Sequence, residues 1–154
     1  MDLKKIIAIT GKPGLYKLIA TTRTGILVES LADGKKMPVS ANQNASSLND
    51  ISMFTYSDDK PLREILAMMY KHYQGKQAPS HKEYEATLRA ELEHFFPEYD
   101  RERVYFSDIK KLFQWYNILL EKGLVDEHPE PATAQQESAP DKQPEENTNA
   151  DTQA

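Results

Sequence analysis

The chain has no cysteine among its 154 residues. That absence removes disulfide frameworks, thiolate zinc sites, iron–sulfur clusters and cysteine nucleophiles together. A reducing compartment is the natural home of such a chain. Long apolar runs are missing too. Ile6 to Ile9 is a run of only four residues, whereas a membrane span needs about 20 and a secretory signal needs a longer apolar stretch with a small-residue cleavage site. The sequence reads as soluble and cytoplasmic, and its length suits one compact domain or two very small ones.

Recurrent catalytic signatures are also absent. Gly11-Lys12-Pro13-Gly14 has the wrong spacing for a phosphate loop, Pro13 removes an N–H donor, and no helix follows. The four histidines, His72, His81, His94 and His128, show no paired metal-ligand spacing. Glu98, Asp100, Glu102 and Asp108 are interleaved with Arg101 and Arg103, so ion pairing and helix capping suit them better than acid–base work, which needs differently shielded carboxylates. No Gly-x-Ser-x-Gly elbow and no obvious serine–histidine pair occurs. The expectation is a protein that is not an enzyme and uses no cofactor or metal.

What is present is unevenly distributed charge. The net charge is −5, yet residues 126–154 hold eight acidic groups and one lysine, while the remainder holds 18 basic and 16 acidic groups. The acidic character therefore belongs to the tail. After Val125 there is no aromatic and no Leu, Ile, Val or Met. Such a segment cannot bury enough apolar surface to offset its ordering entropy, so residues 126–154 are expected to be a disordered acidic tail. A sharper reading has the tail compete with a polyanion for the basic face of the body.

Residues 1–57 read as short strands. Leu3 to Ile9 is β-branched, Tyr16 to Thr22 alternates, and Arg23-Thr24-Gly25 signals a tight turn into Ile26 to Leu31. Asp33-Gly34 turns into Lys36 to Val39, a polar stretch spans Ser40 to Asn49, and Ile51 to Tyr56 closes the segment. Five strands at this spacing predict a small closed barrel of SH3-like type, since closure removes exposed edges.

Residues 58–125 read as three helices. Asp59 suits an N-cap with Pro61 in the first turn, and Leu62, Ile65, Leu66, Met69 and Tyr73 keep helical spacing up to Gly75. Ser80-His81-Lys82-Glu83 has the capping-box pattern ahead of Tyr84, Leu88, Leu92, Phe95 and Phe96. A third helix opens at Ser107, carries Ile109, Leu112, Phe113, Tyr116, Leu119 and Leu120, and stops at Gly123. Trp115 and Ile118 lie beside that stripe, so this helix is apolar on two flanks and should pack against two neighbours. The predicted class is α+β: a barrel over 1–57, a three-helix bundle over 58–125, then the tail.

The strings Ile9-Thr10-Gly11-Lys12-Pro13-Gly14-Leu15-Tyr16-Lys17-Leu18 and Gly25-Ile26-Leu27-Val28-Glu29-Ser30-Leu31 resemble an uncharacterised protein family of Bacteroidetes bacteria. Tyr99-Asp100-Arg101-Glu102-Arg103-Val104-Tyr105-Phe106-Ser107-Asp108-Ile109-Lys110-Lys111, with Trp115-Tyr116-Asn117, resembles the second domain of the same family. The resemblance covers about residues 1–125. It implies a two-domain bacterial cytoplasmic protein and supplies no activity, because the family's function is unknown.

The residues themselves point to an interaction module that binds a protein partner or a second copy of itself. The candidate contacts are Lys12 and Tyr16 at the first loop, Tyr16 being read as exposed, and Trp115 on the third helix. The alternative is an RNA- or ribosome-associated barrel that holds nucleic acid through Lys12, Lys17, Arg23, Lys35 and Lys36, by phosphate charge plus stacking.

Overall fold

The architecture comes from a computed structural model that describes residues 1–12 and 14–129. Five strands form one antiparallel sheet: β1 (Ile6–Ile9), β2 (Tyr16–Thr21), β3 (Gly25–Ser30), β4 (Lys36–Ser40) and β5 (Ala45–Ser47), in the spatial order β4-β3-β2-β1-β5. A second, two-stranded sheet pairs β6 (Ser52–Met53) with β7 (Lys60–Pro61). Three helices follow: α1 (Leu62–His72), α2 (Glu85–Phe95) and α3 (Phe106–Glu121).

The α+β class and the three helices stand, but the closed SH3-like barrel does not. No ladder joins β4 to β5, so the sheet is open. Three features explain this. The last strand of the sheet is β5, a three-residue Ala-Ser-Ser segment inside the stretch expected to be a polar loop, and its register is wholly with β1. The segment expected as the fifth strand, Ile51 to Tyr56, contributes only β6, which pairs outside the main sheet. At the other edge, Pro38 of β4 has no N–H to offer a further strand. The sheet nevertheless curls. Only four residues separate Ser40 from Ala45 on the opposite edge, a reach of about 18 Å against about 19 Å across a flat five-stranded sheet.

Strand β1 explains the arrangement of the core. Ile6, Ile7 and Ile9 are all buried, although successive side chains of a strand point to opposite faces. Ile7 and Ile9 join Val28 and Val39 in a small cluster within the curled sheet, with Tyr16, Leu18, Ile26 and Met37 packed around it. Ile6, with Ala8 packed alongside, belongs to a larger cluster that takes in Leu3, Leu15 and Leu48 from the first segment and Leu66, Leu92, Phe96, Tyr99, Phe113 and Tyr116 from the helical one. The main core thus crosses from the sheet segment into the helical segment. Tyr16, expected to be exposed, is half-buried because the β2 alternation turns it toward the smaller cluster.

The helix ends follow from local chemistry. At the end of α3, Gly123 takes φ 69°, its N–H donates to the Leu120 carbonyl, and the Leu124 N–H donates to Leu119. This is a Schellman stop. The end of α1 is built the same way, with the Gln74 N–H on Lys71 and the Gly75 N–H on Tyr70. There two left-handed residues follow each other, Gln74 at φ 56° and Gly75 at φ 75°. The expected capping box at Ser80 does not form. The Ser80 hydroxyl accepts from the Lys82 N–H at 3.1 Å in a local turn, and α2 starts later, at Glu85, behind Tyr84. The Asn117 side chain ties the α1–α2 linker to α3: its carbonyl accepts from Ala78 N–H at 2.8 Å and its amide donates to the carbonyls of Ala78 and Pro79.

Among the described residues no helix is long and apolar enough to cross a membrane. The expected acidic tail lies outside the described residues from 130 onward. Its first residues are described, and there the Met1 nitrogen donates to the His128 carbonyl at 2.6 Å and lies 3.3 Å from the Asp126 carboxylate.

Two substitutions test this backbone reading by urea denaturation. At Gly25 a Cβ would lie 2.0 Å from the Val39 carbonyl oxygen, so Gly25→Ala must push β3 from β4 and should cost about 3 kcal/mol. Gln74→Gly should raise stability by about 0.5 kcal/mol, the relief of a left-handed residue less the added freedom of the unfolded chain.

Candidate binding cleft

Between the loop that follows β1 and the exposed flank of α3 lies a cleft of about 540 Å³. Each wall has a local cause. On α3, Asp108, Lys111, Leu112 and Trp115 line the cleft because offsets of three, four and seven residues fall on one helix face. Leu112 from that stripe is buried in the main core, while Trp115 is half-buried, packed against the core on one side and open to the cleft on the other. Opposite, Gly11 and Gly14 take φ 85° and 80°, which folds the loop back and leaves Lys12 exposed between them. The Lys12 N–H closes the turn on the Ile9 carbonyl at 3.1 Å. Met53, Phe54 and Val104 also line the cleft.

An ion-paired clamp packs on the cleft-lining Phe54. Arg103 Nε donates to Asp100 Oδ2 at 2.7 Å, and the backbone N–H groups of Glu102 and Arg103 donate to Asp100 Oδ1 at 2.9 and 3.3 Å. Arg103 Nη2 also donates to the Thr55 carbonyl at 2.9 Å, and its guanidinium lies 4.4 Å from the centre of the Phe54 ring. Phe54 is thereby fixed at the rim through a cation–π contact. The Arg103 hydrogen bond, helped by the two N–H donors, holds the Asp100 carboxyl below its usual range. Of the neighbouring carboxylates, Glu98 lies 3.8 Å from the Lys60 ammonium, Glu93 of α2 meets Arg101 at 3.2 Å, and Asp108 Oδ2 accepts from the Tyr105 N–H at the start of α3 at 3.1 Å.

The charged side chains lining the cleft are Lys12, Asp108 and Lys111. Asp108 is committed to its own helix end. Neither lysine has a carboxylate within ion-pairing distance among the described residues. Two unpaired cations over an apolar floor can hold an anionic group beside an apolar one.

Of the residues singled out in the sequence, the fold brings together Lys12 and Trp115. The rest are dispersed. Tyr16 turns into the smaller core. Lys17 on β2 and Lys36 on β4 are exposed, and both stand opposite Glu29 of β3, one on each side. Lys35 is in the β3–β4 turn, where its N–H donates to Asp33 Oδ1 at 2.9 Å. Arg23 is in the β2–β3 turn, at the other end of the six-residue strand β3, about 20 Å away. The sequence reading missed Lys111, Met53 and Phe54. Lys111 was within reach, one helical turn before Trp115. Nothing in the spacing of Met53 and Phe54 marks them, because they reach the cleft through a tertiary turn. Among the described residues no group of three or more His, Asp or Glu side chains could hold a metal ion.

The clamp has a pH signature. A depressed carboxyl stabilises the fold above the ordinary carboxylate pKa, and that contribution is lost as pH falls through the lower folded value. Asp100→Ala should therefore be less stable than the parent at pH 7, and the gap should narrow on acidification below about pH 4, as followed by thermal unfolding from pH 7 to pH 2.

Comparison with known proteins matches residues 3–48 to a domain of unknown function, DUF5606, and residues 51–119 to a second, DUF6852. No match was found among curated proteins. A Bacteroides vulgatus protein, solved by solution NMR as a structural genomics target, is 41% identical, with a TM-score of 0.69 over 83% of this chain and 94% of that one. The strings that resemble a two-domain Bacteroidetes family are thus matched in sequence and in fold, and the chain belongs to that uncharacterised family of paired DUF5606 and DUF6852 domains.

Proposed function

We propose that the protein is a non-enzymatic recognition module whose partner is another protein and whose contact surface is the cleft between the β1–β2 loop and α3. The observation that carries this reading is the convergence of Lys12 and Trp115, from separate segments of the chain, on one cleft with an apolar floor and a charged rim. A half-exposed tryptophan flanked by fixed aromatic and cationic side chains has the makeup of an interface anchor. The charged groups lining the cleft are two lysines and a capping aspartate, which do not divide into acid, base and nucleophile. A cytoplasmic location belongs to the same reading.

The alternative, RNA or ribosome association through Lys12, Lys17, Arg23, Lys35 and Lys36, draws less support. Those side chains are spread over the first loop and both ends of β3, and two of them face Glu29. A phosphate-tracking surface needs its cations along one path.

The test is site-specific photo-crosslinking in the native host, with a photoreactive residue in place of Gln114 in the cleft or of Lys35 in the distant turn. The expected result is a nuclease-resistant polypeptide adduct from position 114 that is absent from position 35 and is lost on Lys111→Glu, a surface change that leaves the core intact. A nuclease-sensitive adduct, equal adducts at both positions, or no adduct at 114 overturns the reading.

A further inference from the structure

We infer that the cleft is selective for an acidic polypeptide segment, one that sets a carboxylate between Lys12 and Lys111 beside an apolar side chain against Trp115. This inference rests on the recognition reading above and gives its partner a chemistry. Three observations lead to it. First, the two lysines come from different elements, the β1–β2 loop and α3, yet line one cleft. Lysines drawn to one concavity repel each other, and an anion placed between them relieves that repulsion. Second, both are exposed and lack carboxylate partners among the described residues, whereas Lys60, Arg89, Arg101 and Arg103 on the same molecule have them. The one carboxylate lining the cleft, Asp108, is turned to the Tyr105 N–H. Third, the lining beneath the cations is apolar, built from the buried Met53 and Leu112 and the half-buried Trp115, and the Arg103 guanidinium packs on the Phe54 ring beside it.

An acidic segment without an apolar residue would leave that floor wet. An apolar segment without a carboxylate would leave the lysines uncompensated. The two features together set the specificity, and a segment with lysine or arginine at the carboxylate position is rejected by like charge.

The chain's only tryptophan is Trp115, so its fluorescence reports occupancy of this cleft directly. The experiment probes the full chain against an arrayed library of random 12-residue peptides at low salt, then titrates the strongest peptides while following Trp115 emission. The expected result is selection of peptides with Asp or Glu within a few positions of Leu, Phe or Met, a saturable shift of Trp115 emission, and at least tenfold weaker binding to the Lys12→Glu, Lys111→Glu double variant. Replacing the peptide's acids by their amides should weaken binding to a similar extent. Selection of neutral peptides that shift Trp115 and ignore the charge reversal overturns the acidic preference while leaving the recognition reading intact. Selection of no peptide overturns the acidic preference; if an oligouridylate shifts Trp115 as well, the recognition reading falls with it.

Discussion

The rest of the molecule depends on the burial of β1 on both of its faces. Ordering four residues costs about 4–8 kcal/mol of backbone entropy. Burying an isoleucine returns about 1.5–3 kcal/mol. With one face covered, one or two isoleucines would count and the strand would be marginal. With Ile6, Ile7 and Ile9 all buried, the sum reaches about 5–9 kcal/mol and the strand holds. That requires a core on each side, one made by the curl of the sheet and the other by the helices. Separating the helical segment from the sheet would strip β1 of one cover.

The cleft follows from the same constraint. α3 contributes to the core on the Ile6 side through Ile109, Leu112, Phe113, Tyr116 and Leu119. One flank of that helix faces the same cleft as Ile9 at the end of β1, where the chain turns back into β2. The turn at Gly11 and Gly14 and the flank of α3 leave a cleft between them, and Trp115, packed on the core, lines it. The space that is left is bounded by two lysines and by an aromatic ring that Asp100 and Arg103 keep in place. The clamp and the cleft are therefore one construction: the residues that stitch the turn before α3 also set the rim.

Much of the helical half was legible because its signals are local. The apolar stripes of α1 and α3, the glycine stops and the capping role of Asp108 depend on neighbours within a turn or two. Ser80 misled because a serine followed by glutamate three residues on is compatible both with a capped helix and with an isolated turn, and the nearby packing of the linker on Asn117 favours the turn. In the sheet half the strands β2, β3 and β4 were legible from alternation and turn residues. The three-residue β5 was not, since Ala45, Ser46 and Ser47 have no propensity that outweighs a polar loop. They extend because β1 offers them a ladder.

The sequence by itself determined the three helical segments, the strands β1 to β4, the amphipathic faces that would be buried, the absence of thiol chemistry, and the acidic composition after Val125. It even singled out Lys12 and Trp115, since a lysine between two glycines and a tryptophan beside a core stripe are conspicuous in one dimension. Only the tertiary structure decided that the sheet stays open, that Tyr16 turns inward, that the remaining basic residues disperse, and that Lys12 and Trp115 share a cleft with Lys111 and Phe54. Local propensity acts over one or two turns of chain, whereas strand pairing and the joining of residues about 100 positions apart are settled by which surfaces exclude water from each other.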